Sequence, residues 1–125
     1  MPFLCPECSS HGSLRITHKI GLPPDSRSDE ITLQIVKCSD CGFEGIAVYE
    51  ESRRGRLDEE LVQHTGYRVT KGDLRSLRKT MRGCPQPGNW RCKCKAHQKL
   101  ARTDASGRWN ALHELEIQES FALRI

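Results

Sequence analysis

The chain contains seven cysteines, and with one histidine they fall into two sets of four, the ligand number of a tetrahedral zinc ion. The first set is Cys5-x2-Cys8 with Cys38-x2-Cys41, and the second is Cys84-x7-Cys92-x-Cys94-x2-His97. Thiolate and imidazole at short paired spacings are zinc ligands by chemistry and by geometry. A redox CxxC of thioredoxin type needs a single pair at a helix N-terminus after a strand, a weaker account of paired motifs. A four-thiolate iron site of rubredoxin type uses the spacing of the first set equally well. The tight Cys92-x-Cys94 spacing also suits an iron–sulfur centre. With water in place of His97 the second site becomes open and reactive. No cysteine is left over, and full saturation favours two closed structural sites, hence two zinc ions per chain.

Composition explains why metal is needed. The 125 residues are 36% hydrophobic with three Phe, two Tyr and two Trp, and mean hydropathy is −0.62. That is lean for a self-sufficient core, whereas each structural zinc supplies on the order of 10 kcal/mol of folding free energy. An odd cysteine number, and a start that lacks the basic and apolar regions of an export signal, argue against a disulfide framework. A soluble, cytoplasmic protein with reduced thiols and no membrane segment is therefore expected.

The elements that must carry the ligands follow from periodicity. Leu14, Ile16, His18 and Ile20 alternate with polar residues, as a half-buried strand does. Gly21 to Asp29, with Pro23-Pro24, reads as a loop. A β-branched run, Ile31 to Val36, leads into Cys38, and a third strand from Phe43 to Tyr49 leaves Cys41. Gly42 suits a positive φ where backbone N–H groups turn toward the sulfurs. The expectation is a small zinc-stabilised α+β protein. Residues 1–52 form a three-stranded antiparallel zinc ribbon; residues 53–125 hold a basic helix, an irregular Cys3His site and a C-terminal strand. Residues 57–62 read as one or two helical turns. A helix over residues 74–82 is expected, capped by Asp73, closed by Gly83, with Leu74, Leu77 and Met81 on one stripe. Odd positions from Trp109 to Ile125 are apolar, a strand pattern with a helical alternative at 111–118.

Charge is unevenly spread. Residues 1–64 carry 7 Lys/Arg against 11 Asp/Glu, and residues 65–109 carry 12 against 2. The basic block, with Arg75, Arg78, Lys79, Arg82, Arg91, Lys93 and Lys95, is able to neutralise phosphates, and Trp90, Trp109 and Tyr67 to stack on unpaired bases. A solvated face, or one docked on the chain's own acidic residues, is the alternative. No nucleophile with a partner base accompanies the remaining histidines, so independent catalysis is not expected.

Arg27-Ser28-Asp29-Glu30, seven residues, then Cys38-Ser39-Asp40-Cys41-Gly42 resembles the C-terminal zinc ribbon of transcription elongation factor S and its archaeal relatives. The match spans about a third of the chain. Ile31 replaces the family's usual proline, Phe43-Glu44-Gly45 replaces its aromatic stretch, and the first strand and loop are longer. The resemblance implies that Asp29 and Glu30 form a hairpin tip that enters an RNA polymerase active site and helps to position a catalytic Mg²⁺. The functional expectation is a zinc-binding accessory factor of nucleic acid or of a transcription or translation machine. A protein-interaction adaptor and an iron–sulfur redox module are the alternatives.

Overall fold

Ile31 to Val36 has no helical period and strong β propensity, and it becomes the centre of the sheet. The computed structural model describes residues 3–52 and 61–123. In chain order the elements are β1 (Phe3–Leu4), β2 (His11–Leu22), β3 (Glu30–Cys38), β4 (Glu44–Ser52), β5 (Leu61–Val69), α1 (Lys71–Arg82), α2 (Lys95–Leu100), a 3₁₀ turn (Ala111–Glu114) and β6 (Ile117–Ala122). All six strands pair antiparallel in the order β1-β2-β3-β4-β5-β6. The described residues thus form a small α+β structure with one antiparallel sheet and two helices. No helix among the described residues is long and apolar enough to cross a membrane.

Four expectations change. The expected three-stranded ribbon, β2 to β4, is part of a larger sheet that is continuous across residue 52, because β5 pairs with β4 from Ile46↔Tyr67 to Ser52↔Leu61. Leu61 and Val62 are therefore strand, not helix; residues 57–60 lie outside the described residues. Helix α1 begins earlier than residue 74. Thr70 caps it, its hydroxyl accepting from the Asp73 backbone N–H at 3.1 Å, a contact worth about 1 kcal/mol. Asp73 instead accepts from the Glu116 N–H at 2.8 Å and ties down the segment before β6. The second metal segment is only partly irregular, since it ends in α2.

The sheet buries opposite faces at its two ends, and a bulge in β2 makes the switch. Leu14 lies opposite Cys38 and Ile16 opposite Val36, but His18 lies opposite Ile35, leaving Thr17 as the extra residue. Directly opposed side chains share a face, so Leu14 goes with Val36, while Ile20 and Leu22 go with the odd-numbered side of β3. On that side Ile20, Leu22, Ile31, Leu33, Ile35, Ile46 and Val48 form the main core with Leu74, Leu77 and Met81 of α1 and Ala96 and Leu100 of α2. Each such side chain contributes roughly 1.5–3 kcal/mol on burial. On the other face Cys5, Leu14, Val36, Cys38 and Ala47 make a smaller cluster.

That second face is closed by rings lying over glycines. Phe43 and Phe121 meet edge to face at 5.8 Å between centroids. A Cβ at Gly66 would fall 2.2 Å from the Phe121 ring, so only glycine lets the ring lie against β5.

The loop after β2 is held by a carboxylate with four donors. Asp25, with its side chain 1% exposed, accepts from the N–H groups of Arg27 (2.8 Å) and Ser28 (2.6 Å) through Oδ1. Its Oδ2 accepts from the Arg108 guanidinium (2.5 Å) and the Trp109 N–H (2.7 Å). Burial pushes the carboxyl up, but the N–H groups of Trp109, Ser28 and Arg27 and the Arg108 charge outweigh it, so the net shift is below the usual carboxylate value. A depressed folded pKa stabilises fully above the unfolded value near about 4 and is lost as pH falls through the folded one. At neutral pH the contribution is complete. Asp25→Asn is expected to cost about 1.5–3 kcal/mol in urea unfolding at pH 7 while leaving the metal content unchanged.

Candidate metal centres

The first centre forms where two turns meet at one end of the sheet. Cys5 follows β1, and its turn closes through Ser9 N–H to Cys5 C=O at 2.9 Å and Cys5 N–H to Ser10 C=O at 3.1 Å. Ser9 takes φ +60°, a left-handed position filled here without glycine. Cys38 is the last residue of β3. Beyond it the Cys41 N–H points at the Cys38 sulfur at 3.4 Å, and Gly42 adopts φ +78° as expected. The four sulfurs lie within 4.8 Å of one another, with Cys5–Cys41 and Cys8–Cys38 both at 3.7 Å. A tetrahedral ion with 2.3 Å arms requires edges of about 3.8 Å; a disulfide requires about 2.05 Å. All seven cysteines are free.

The electrostatics of this cluster suit a cation. Burial raises Cys38, but the Ser13 hydroxyl and the N–H groups of Cys41 and Asp40 outweigh it and bring the thiol to about 6. At Cys41 the Phe43 N–H lowers the thiol, yet burial and the neighbouring sulfurs of Cys38, Cys5 and Cys8 push it up to about 12. Packed thiolates repel one another, and a bound cation would offset that repulsion and favour their ionised forms.

The second centre is assembled from the end of α1, a turn-rich loop and the start of α2. Cys84 follows the Gly83 cap, with its N–H on Met81 C=O at 3.1 Å. Turns closed by Asn89 N–H to Gln86 C=O and Cys92 N–H to Asn89 C=O, both 3.0 Å, deliver Cys92. Cys94 is the N-cap of α2, its sulfur accepting from the His97 N–H at 3.4 Å. The x2 spacing therefore places the cap sulfur and the third helical side chain over one turn. His97 Nδ1 stands 3.2 Å from the Cys84 sulfur and 3.3 Å from that of Cys94, with Cys84 and Cys92 4.0 Å apart. The His97 N–H and side chain hold Cys94 down to about 6, whereas burial and the adjacent thiols raise Cys84 to about 11.

The outer nitrogen of His97 decides its role. Nε2 lies 2.8 Å from the Gly21 carbonyl of β2, and a carbonyl only accepts, so Nε2 carries the proton and Nδ1 keeps its lone pair for an ion. His97 is 2% exposed and so is not a surface residue; its Nδ1 is positioned to join the three sulfurs in holding an ion. The Gly21 N–H in turn donates to Pro87 C=O at 2.7 Å. This docking of the loop on the free edge of β2 was not visible in the sequence, nor was the Asp25–Arg108 pairing, because neither has a local spacing.

The other sequence candidates fare differently. Arg75, Lys79 and Arg82 on α1 are exposed, but Arg78 is ion-paired with Glu44. Arg91 lies over the Trp90 ring at 4.9 Å, and Lys93 and Lys95 flank Cys94 in solvent. Trp109 is committed to structure, its indole N–H donating to Leu100 C=O at 2.6 Å, and Tyr67 packs against the main core. Asp29 and Glu30 do lie at the hairpin end remote from the first centre. Their backbone is tied down: the Asp29 N–H bonds Glu51 C=O at 2.7 Å, Glu30 opens β3 with its side chain exposed, and the adjoining Ser26 N–H bonds Gly107 C=O at 3.0 Å. Compared with known proteins, the chain matches no family model, no curated protein and no solved structure.

Each centre has a distinct structural burden, which exchange of backbone amides can read. His97→Ala is expected to leave one metal equivalent per chain instead of two and to remove exchange protection from the Gly21 amide and α2. The amides of Cys38 and Val36 keep theirs. Loss of protection at both ends together would show that the centres do not act separately.

Proposed function

We propose that this chain is a zinc-binding accessory factor that associates with nucleic acid or a nucleoprotein machine and has no catalytic site of its own. Zinc is supported by the donor set: four sulfurs in one centre, and three sulfurs with an imidazole nitrogen of fixed tautomer in the other, both closed and both at tetrahedral spacing. Metal analysis of the purified protein is expected to find two zinc per chain and no visible absorbance band; a coloured, iron-loaded protein would refute this assignment.

One observation carries the nucleic-acid reading. Residues 74–103 contain nine Lys/Arg and no Asp/Glu, and this stretch is the one that α1 and the second metal centre hold in fixed shape. Its apolar residues Leu74, Leu77, Met81, Ala96 and Leu100 point into the core, which leaves Arg75, Lys79, Arg82, Arg91, Lys93 and Lys95 outward. A cationic surface releases counterions when it meets a phosphate backbone. Association with a polymerase or ribosome places the acidic N-terminal half against protein and this surface against the nucleic acid. Binding to RNA or DNA is expected to weaken steeply with salt, and Arg75→Ala with Lys79→Ala and Arg82→Ala is expected to reduce the slope of log K against log salt by about 2–3. Salt-insensitive binding, or none, removes the reading.

A further inference from the structure

Three aromatic side chains accompany the basic block in sequence, and the structure separates them. Trp109 and Tyr67 pack against the core. Trp90 alone among the described aromatic side chains is exposed, at 44%. Nearly half of this large apolar ring is left in solvent, on the loop between Cys84 and Cys92. Its backbone is nonetheless fixed on both sides: the Arg91 N–H bonds Asn89 Oδ1 at 3.0 Å, and Cys92, two residues on, is a ligand of the second centre.

The ring separates two grooves of unlike character. One, about 440 Å³, runs past Gly88 toward Asp29 and Glu30. The other, about 520 Å³, lies against the second centre and is lined by Pro23, Trp90, Arg91, Lys93 and Ala101 together with Cys92 and His97. The first sets Lys19 beside the two carboxylates, whereas the second carries Arg91 and Lys93 with no carboxylate in its lining and so favours phosphate. The Arg91 guanidinium already rests on the indole, so a flat cation and a flat ring stand together beside an apolar groove, with lysine next to it. Planar bases stack on indole and on guanidinium alike, and the adjacent phosphates pair with the cations.

We infer that Trp90 is a stacking platform for an unpaired base, so that the basic surface prefers single-stranded over double-stranded nucleic acid. This rests on the nucleic-acid reading above and adds to it the strand state and the residue that recognises it. A base within a duplex is stacked on both faces and cannot reach the indole; an unpaired one costs little to turn out. The Arg91–Lys93 side of the ring carries the phosphates.

The test uses the full metal-loaded chain, a fluorescein-labelled single-stranded RNA of mixed sequence and the same RNA annealed to its complement. Trp90→Ala is expected to weaken binding of the single strand by roughly 5- to 100-fold and to leave duplex binding within about two-fold, with Trp90→Phe restoring most of the loss. Zinc content and circular dichroism equal to wild type show that the variant is folded. If Trp90→Ala leaves single-strand binding intact while the α1 charge variants still weaken it, the stacking inference is overturned and the nucleic-acid reading stands. Equal weakening on both RNAs also overturns it, since the ring would then be acting through the shape of the loop. If the wild-type chain binds neither RNA, the nucleic-acid reading itself fails.

Discussion

The peptide group of Gly21 joins the second metal centre to the sheet. Its carbonyl accepts from His97 Nε2 and its N–H donates to Pro87. A strand edge otherwise exposes both groups to water or to another chain. Here the edge selects the imidazole tautomer that leaves Nδ1 facing three sulfurs, and a metal in that site would hold the loop against the strand. Cys38, opposite Leu14, belongs to the first centre. Gly21 is seven residues further along the same strand, roughly 20 Å at about 3.3 Å per residue. The two four-ligand clusters thus pin β2 at both ends, and the bulge at Thr17 lies between them.

That arrangement resolves a conflict in the composition. The apolar residues are too few to bury both faces of a six-stranded sheet along its whole length. The bulge lets them be shared, with the main core on one face at the α1 and α2 end and a small cluster on the other face beside the first centre. Rings lying over Gly45 and Gly66 cover what aliphatic side chains do not reach. With its core side satisfied, the basic stretch keeps its charge outward, and rigid placement of that charge is what a binding surface requires.

Several features were legible because they are local. The β2 to β4 strands, the helix with its Leu74, Leu77 and Met81 stripe, the Gly42 turn and both ligand sets rest on spacings within a few residues or on side-chain chemistry alone. The failures are equally specific. Strand β5, with Gln63, His64, Thr65 and Gly66 at its centre, has too little hydrophobic contrast to announce itself and forms because β4 offers an open edge. Asp73 looks like a cap, yet Thr70 takes that place across Lys71 and Gly72, both indifferent to the boundary. The C-terminal alternation suggests a strand from Trp109 onward, but the 3₁₀ turn at Ala111–Glu114 and the irregularity opposite Arg68 and Val69 confine it to β6.

The sequence by itself determined which side chains could hold metal and that the chain carries a cationic stretch, since ligand chemistry and charge belong to residues whatever their surroundings. Only the tertiary structure decided that His97 presents Nδ1, that Arg78 is taken by Glu44, that Asp29 is bonded to β4 while Glu30 opens β3, and that Trp90 is the most exposed of three candidate rings. Those outcomes depend on partners up to 76 residues away, and no local pattern encodes a contact whose other half is set by the register of distant strands.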